Sequence, residues 1–150
     1  MGKCLKGFTL VELLIVVVIM AVLAATVIPE FGSSTADVQK NTARFNLQTL
    51  RSAIVIYKGQ HKKRTPFTLN KLTVRTDSMQ LEAGEPGVGE LLYGPYFTEI
   101  PEESISGTNA VAEDSARTAA AINVTGTTGG WIYKPFTGEI RINHTDYKDL

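Results

Sequence analysis

From Leu13 to Ile28 the chain carries no charge and one polar residue, Thr26, and a solitary carboxylate, Glu12, stands just before that run. No other stretch restricts the chain so strongly. Phe8 to Ile28 is 21 residues, and as an α-helix it would span roughly 31 Å, close to the ~30 Å hydrocarbon core of a bilayer. Lys3 and Lys6 precede the run, and Glu30 and Asp37 follow it. That asymmetry keeps the N-terminus cytoplasmic and sends the C-terminal part across the membrane.

Three readings compete for this segment. A secretory signal cut after a small residue such as Ala24 accounts for the basic start and the apolar centre, but leaves an acid inside the apolar region and offers no clean Ala-x-Ala site. A plain membrane anchor leaves Glu12 unexplained, since an acid at the bilayer centre costs about 2.5–3.5 kcal/mol and less towards an end. A cut between Gly7 and Phe8 explains the acid. The new α-amine lies four residues from Glu12 and supplies a cation, from the same chain or a packed neighbour, that neutralises the carboxylate within the apolar layer.

The run Gly7-Phe8-Thr9-Leu10-Val11-Glu12-Leu13-Leu14 resembles the class III signal of type IV pilins and type II secretion pseudopilins. The resemblance implies that a prepilin peptidase cuts after Gly7 and methylates the new N-terminus at Phe8. It implies that Glu12 pairs with a neighbouring subunit's N-terminus during assembly. Removing the leader takes away Lys3 and Lys6, so 13 basic side chains face 15 acidic ones in the remaining 143 residues, a formal −2.

Composition excludes more than it assigns. Fifteen Lys+Arg balance 15 Asp+Glu, which gives no long-range field for nucleic acid. The one basic cluster, Lys62-Lys63-Arg64, suits a solvated helix end or loop. The single cysteine, Cys4, precedes the apolar segment, whereas a lipid-acceptor cysteine would follow one; no disulfide can form within the chain. Packing and hydrogen bonds must hold the fold.

Pro29 follows the apolar run and would either end the helix or kink one that continues through it; pilin-like proteins carry a proline here within a continuous, bent or locally melted helix, and continuation is expected. Gly32-Ser33-Ser34 weakens the helical preference locally. From Ala36 to about Gly59, Ala43, Leu47, Leu50, Ile54 and Tyr57 recur at helical steps, opposite Lys40, Arg44, Gln48 and Arg51. Phe45 and Ile56 fall off this stripe and are candidates for contact with another subunit. A helix from Phe8 to Gly59 would be roughly 78 Å long, the shape of a filament spine. Gly59, Lys62-Lys63-Arg64 and Pro66 are expected to end it.

Beyond the helix, Thr68 is a candidate cap for a short turn through Leu72, and Ala83 to Gly89 reads as a loop. Tyr93 to Pro101 reads as an extended segment packed on the core. Asn109 to Ala112 is expected as a short strand, and Glu113 to Thr128, without a clear period, as a short helix and a flexible loop. Gly130–Lys134 and Glu139–Asn143 flank Pro135-Phe136-Thr137-Gly138 as a hairpin, with Trp131 and Tyr133 on one face of the first strand and Ile140 and Ile142 on one face of the second. His61 through Pro66, Tyr93-Gly94-Pro95-Tyr96 leading to Ile100-Pro101, and Gly129 to Tyr133 with Thr137 to Ile140 together resemble divergent protein-G-type pseudopilins.

That resemblance implies an α+β, pilin-like fold: a long N-terminal α-helix, half transmembrane and half amphipathic, packed on a small antiparallel β-sheet. The implied domains are a leader at 1–7, a transmembrane and assembly helix at 8–31, its amphipathic continuation at 32–60, and a globular domain at 61–150. Many major pilins close a C-terminal loop with a disulfide, which this chain cannot, so the pseudopilin reading leads. Well-studied protein-G pseudopilins bind calcium in an acidic C-terminal loop. Here the C-terminus offers Asp146 and Asp149, too few for the six to eight oxygens that calcium takes, so no cofactor is expected and the site is not transferred.

No catalytic constellation is present. His61 and His144 lack metal-ligand spacing, no Gly-x-Ser-x-Gly elbow occurs, and Glu102-Glu103 reads as a solvated pair. The chain is expected to be no enzyme but a structural subunit of a type II secretion pseudopilus in the bacterial inner membrane, with its C-terminal domain outside. Its expected partners are copies of itself, the prepilin peptidase, the inner-membrane assembly platform and motor, and minor pseudopilins, with no nucleic acid. Ala21 and Ala25 form a small-xxx-small pair that permits close helix approach. A type IV or minor pilin serving adhesion, motility or DNA uptake, and a non-polymerising membrane-tethered binding module, remain alternatives.

Overall fold

A computed structural model of the chain describes residues 7–126 and 128–150, without the side chains of residues 26–34. The chain divides into two compact units, Met1–Val38 and Gln39–Leu150. One helix, α1, is assigned without interruption over Leu10–Gln60. It passes Pro29, whose side chain and expected kink lie outside the described residues, as do Cys4, Lys3 and Lys6.

In the first unit the described helical side chains are exposed all round: Leu10, Leu13, Leu14, Ile15, Val18, Ile19, Met20 and Leu23 each stand open to more than half their surface. A helix that is apolar on every side needs apolar surroundings. Among the described residues no helix is long and apolar enough to cross a membrane.

The second unit is built on the last turns of α1. Ala43, Leu47, Leu50, Ile54 and Tyr57, the stripe expected from the sequence, are all buried, and Ala53 joins them. They pack with Leu69, Leu72, Ile100, Trp131, Tyr133, Ile140 and Ile142 in one core. Burying each large side chain is worth about 1.5–3 kcal/mol. Gly59 lies inside the helix rather than ending it; termination comes at Lys62 and Lys63, whose φ values are 54° and 65°, with the Lys63 amide donating to the Lys58 carbonyl at 2.8 Å.

Three short strands follow: β1 (Val111–Glu113), β2 (Trp131–Lys134) and β3 (Glu139–Ile142). β2 and β3 form the expected antiparallel hairpin, pairing Trp131 with Ile142 and Tyr133 with Ile140, so four large side chains face α1. The expected all-antiparallel sheet is corrected at its edge, where β1 pairs with β2 in parallel, Val111 opposite Trp131. A tight turn forces antiparallel pairing, but the long connection from Asp114 to Gly130 lets the chain return and run in the same direction. Gly130 sits at that junction with φ 75°, and a Cβ there would lie 2.4 Å from the Ala110 carbonyl oxygen.

The irregular segments are pinned rather than loose. A 3-10 turn spans Leu69–Leu72 after Thr68, whose side chain makes no cap bond. The Leu72 carbonyl accepts from the amides of Tyr96 and Phe97, and Ile100 enters the core, so Tyr93–Pro101 packs as expected. Trp131 Nε1 donates to the Pro101 carbonyl at 2.7 Å, and the Tyr133 hydroxyl to the Pro66 carbonyl at 2.8 Å. The helix expected after Glu113 is absent among the described residues. Instead Ile122 and Val124 are buried and the Ile122 amide donates to Glu139 Oε2 at 3.0 Å. With no helical period, this stretch is held by individual anchors.

The packing gives a sharp contrast between two faces of one helix. Leu50→Ala should lower stability by about 2–5 kcal/mol through the cavity it leaves, whereas Phe45→Ala, at a site 71% exposed, should change it by less than about 0.5 kcal/mol. Chemical denaturation of the full chain in detergent, followed by Trp131 fluorescence, checks both values.

Candidate functional site

The N-terminal site is ordered by a reciprocal cap. Residues 7–9 precede the helix, and Thr9 stands at its cap position. The Glu12 amide donates to Thr9 Oγ1 at 3.2 Å. In return Glu12 Oε2 accepts from the Thr9 amide at 3.0 Å and the Thr9 hydroxyl at 2.8 Å. This is a capping box, a Thr-x-x-Glu pattern that satisfies helix-end donors on both sides. Glu12 stands out from its composition, whereas the signal for Thr9 is the Thr-x-x-Glu spacing alone.

Three consequences follow for the residues singled out from sequence. Gly7 and Phe8 lie outside the helix, so their peptide bond is not tied into the helical ladder. Phe8 is 75% exposed. Both bonds to the Glu12 carboxylate use Oε2, and Oε1 has no partner among the described residues. Pro29 lies further along α1, with its side chain outside the described residues. Thr9→Val should remove the hydroxyl's two bonds and loosen the first helical turn by about 0.5–2 kcal/mol, seen as faster amide hydrogen exchange at Leu10 to Leu13.

The second unit buries several polar groups that sequence reasoning placed at the surface or left unassigned. His61 is fully buried. Its Nδ1 lies 2.9 Å from the Tyr57 carbonyl and its Nε2 2.8 Å from Thr76 Oγ1. A carbonyl only accepts, so Nδ1 carries the proton and the Thr76 hydroxyl donates to Nε2. The ring stacks on Tyr57 at 3.8 Å and meets Tyr93 edge-on at 4.9 Å. Burial pushes the imidazole below its ordinary pKa, partly opposed by the Tyr57 carbonyl and by Asp77.

Asp77 holds the loop that follows. Its Oδ1 accepts from the amides of Met79 and Leu81, at 2.7 and 2.9 Å, and its Oδ2 from the Gly89 amide at 2.9 Å. Those bonds, the one from Gly89 foremost, hold its carboxyl below the usual range. Glu103 corrects the solvated-pair expectation: it is 1% exposed and accepts from the amides of Ile105 and Ser106 and from the Ser106 hydroxyl. The turn at 103–106 closes on itself and needs a buried acceptor. Glu102 stays exposed. Lys134 is buried, with Nζ 3.2 Å from Asp114 Oδ2 and 2.8 Å from the Ala120 carbonyl.

These groups are anchors, and the described residues gather no cluster of three or more His, Cys, Asp or Glu able to hold a metal ion. His144 Nδ1 accepts from the Asp146 amide at 3.2 Å, which caps the 3-10 turn Thr145–Tyr147.

The pKa directions set two acid windows. A His61 pKa depressed below 6.5 means the unfolded chain binds the proton more readily, so stability is full above about pH 6.5 and falls as the pH drops below it. Asp77, depressed below 3.8, adds a second loss at lower pH. Thermal midpoints of the full chain between about pH 3 and about pH 8 should show both steps, and His61→Gln should flatten the upper one alone.

Comparison with known proteins bears on the N-terminal part. Residues 3–28 match the family described as the prokaryotic N-terminal methylation motif. A fimbrial protein of Pseudomonas aeruginosa is 45% identical over 51 residues, 34% of this chain and 33% of that protein. The type IV major pilin protein PilE1 of Neisseria gonorrhoeae is 38% identical over 63 residues, 42% of this chain and 38% of the pilin. The type II secretion system core protein G of Pseudomonas aeruginosa is 36% identical over 53 residues, 35% of this chain and 37% of that protein. The chain thus covers little more than a third of the length of these relatives. No solved structure matches.

Proposed function

We propose that this chain, whose N-terminal motif and relatives support the type IV pilin and pseudopilin superfamily, is a filament subunit of a type II secretion pseudopilus, processed between Gly7 and Phe8 and methylated at Phe8. The observation that carries the reading is the arrangement at Glu12. Among the described residues, Thr9 occupies one oxygen of the carboxylate and leaves Oε1 open, at the head of a helix whose described apolar side chains are uncovered. An α-amine released by the cut is the cation that such an acceptor suits, and a neighbour's amine reaches it only when helices pack side by side.

The second unit adds a compatible face. Phe45, Thr49, Ser52 and Ile56 follow one another at helical steps on the exposed side of α1. The hydroxyls of Thr49 and Ser52 donate back to the carbonyls of Phe45 and Gln48, both at 2.8 Å. With their donors turned inward, the two polar residues interrupt the apolar stripe little. Such a face suits lateral packing against another copy.

In this reading the Phe8–Ile28 segment roots the subunit in the inner membrane, with the globular unit outside and the N-terminus cytoplasmic. A prepilin peptidase, an inner-membrane platform, its motor and minor pseudopilins are the implied partners. The work of assembly comes from those partners, and the chain itself acts as structure rather than as an enzyme. The pseudopilus is preferred to a pilus because the chain has a single cysteine, Cys4, and so cannot close the C-terminal disulfide loop that the resemblance associates with many major pilins.

The reading is tested at its carrying residue. Glu12→Ala should leave cleavage and the folded globular unit intact and reduce filament yield at least tenfold; filaments at wild-type yield would sink the assembly role. Mass spectrometry of the mature chain should find Phe8 at the N-terminus, one methyl group heavier than the unmodified residue. A start at Ala25 or Thr26 would instead establish the secretory-signal reading.

A further inference from the structure

The fold gathers a charged cleft from residues that the sequence scatters between 58 and 136. The cleft, ≈ 700 Å³, opens beside the turn that ends α1, with Lys58, Lys63, Arg64 and Arg117 on its walls and the rings of Phe67 and Phe136 among them. The rings are 59% and 56% exposed. None of the four cations has an ion-pair partner among the described residues. One carboxylate, Asp114, also lines the cleft, but it is held by Lys134 Nζ at 3.2 Å. The local excess is therefore four positive charges in a chain whose formal net charge is +0.

The turn that carries Lys63 adds an independent observation. Lys62 and Lys63 both hold positive φ, a conformation that glycine adopts freely and lysine does not. The same conformation closes the end of α1, where the Lys63 amide meets the Lys58 carbonyl at 2.8 Å. The strain keeps a cation on the cleft wall where glycine would have been the easier choice. The Thr65 hydroxyl donates to the Pro135 carbonyl, tying the turn to the segment that presents Phe136.

Against the sequence expectation of no nucleic-acid partner, we propose that this cleft binds single-stranded nucleic acid. Each nucleotide carries one negative charge and one flat π face, and the cleft pairs unneutralised cations with exposed rings on which bases can stack. An acidic peptide would meet the cations but has no flat group in each unit to place on the phenylalanines. An anionic lipid surface would also take up cations and exposed rings, so anionic vesicles are the competing arm of the test. The balanced total charge gives no long-range attraction, so the affinity would arise within the cleft and at short range. This inference does not depend on filament assembly and stands or falls with the globular unit.

The test uses the full chain in detergent and a fluorescently labelled deoxythymidine oligonucleotide of about twelve residues, within the usual site sizes. Anisotropy should show binding that weakens as salt rises. Phe136→Ala should weaken it roughly fivefold or more through lost stacking. Arg117→Gln should lower the salt slope by about one counterion. Lys63→Gly should weaken binding without loss of thermal stability, because glycine suits that backbone. Lys148→Gln, outside the cleft, should change nothing.

Three results would overturn the proposal: no binding at low salt, binding indifferent to Phe136→Ala and Lys63→Gly, or poly-glutamate or anionic vesicles bound as tightly as the oligonucleotide. Circular dichroism of each variant separates loss of binding from loss of fold.

Discussion

Three strands of three or four residues cannot make a stable domain alone. The second unit exists because α1 brings a ready-made apolar wall. Its stripe from Ala43 to Tyr57 meets Trp131, Tyr133, Ile140 and Ile142, and every other segment is attached to that contact. The dependence runs both ways. A helix of this composition with one apolar stripe and one mixed face is held mainly by the tertiary contact, so the sheet and the helix stabilise each other or not at all.

Much of the second unit is irregular, and it is organised by buried polar groups rather than by secondary structure. Asp77 collects three backbone amides, Glu103 collects two amides and a hydroxyl, Lys134 reaches an acid and a carbonyl, and His61 bridges α1 to Thr76. Each satisfies groups that would be costly to bury alone. No disulfide is available to do this, and anchors of this type hold loops at fixed places without one. They also make the unit sensitive to removal of any single partner, since truncation leaves the opposing group buried and unpaired.

The periodic parts of the fold were legible in the sequence; of the aperiodic parts, the packing of Tyr93–Pro101 was legible and the return of β1 and the buried polar anchors were not. The stripe Ala43–Tyr57 and the hairpin flanking Pro135 to Gly138 follow from side-chain spacing, which local geometry fixes. The parallel entry of β1 depends on where a long connection returns, and no local pattern encodes that. Glu103 and His61 look like ordinary polar residues until the chain folds around them. At the N-terminus, the Gly7–Phe8 junction and Glu12 stand out by composition, while Thr9 is marked only by its three-residue spacing before Glu12. The cationic cleft was illegible for a related reason: Lys58, Lys63, Arg64, Phe67, Arg117 and Phe136 are neighbours only in space.

The capping box at Thr9 and Glu12 raises a question of competition that its geometry answers. A carboxylate committed to its own helix would have to abandon those bonds to receive a neighbour's amine, and the gain from pairing would be reduced by their loss. That exchange is not required here, because both bonds end on Oε2 and a carboxylate oxygen pair offers about four lone-pair sites. The cap then acts as preorganisation. It fixes the carboxylate against the first turn, limits the rotamers that must be frozen on docking, and leaves Oε1 without a donor among the described residues. Under the proposed processing, an α-amine appears at Phe8 only after the cut. On that proposal the same acid stabilises the helix start of the precursor and serves as the docking group of the processed subunit, with processing supplying the partner rather than rearranging the acceptor.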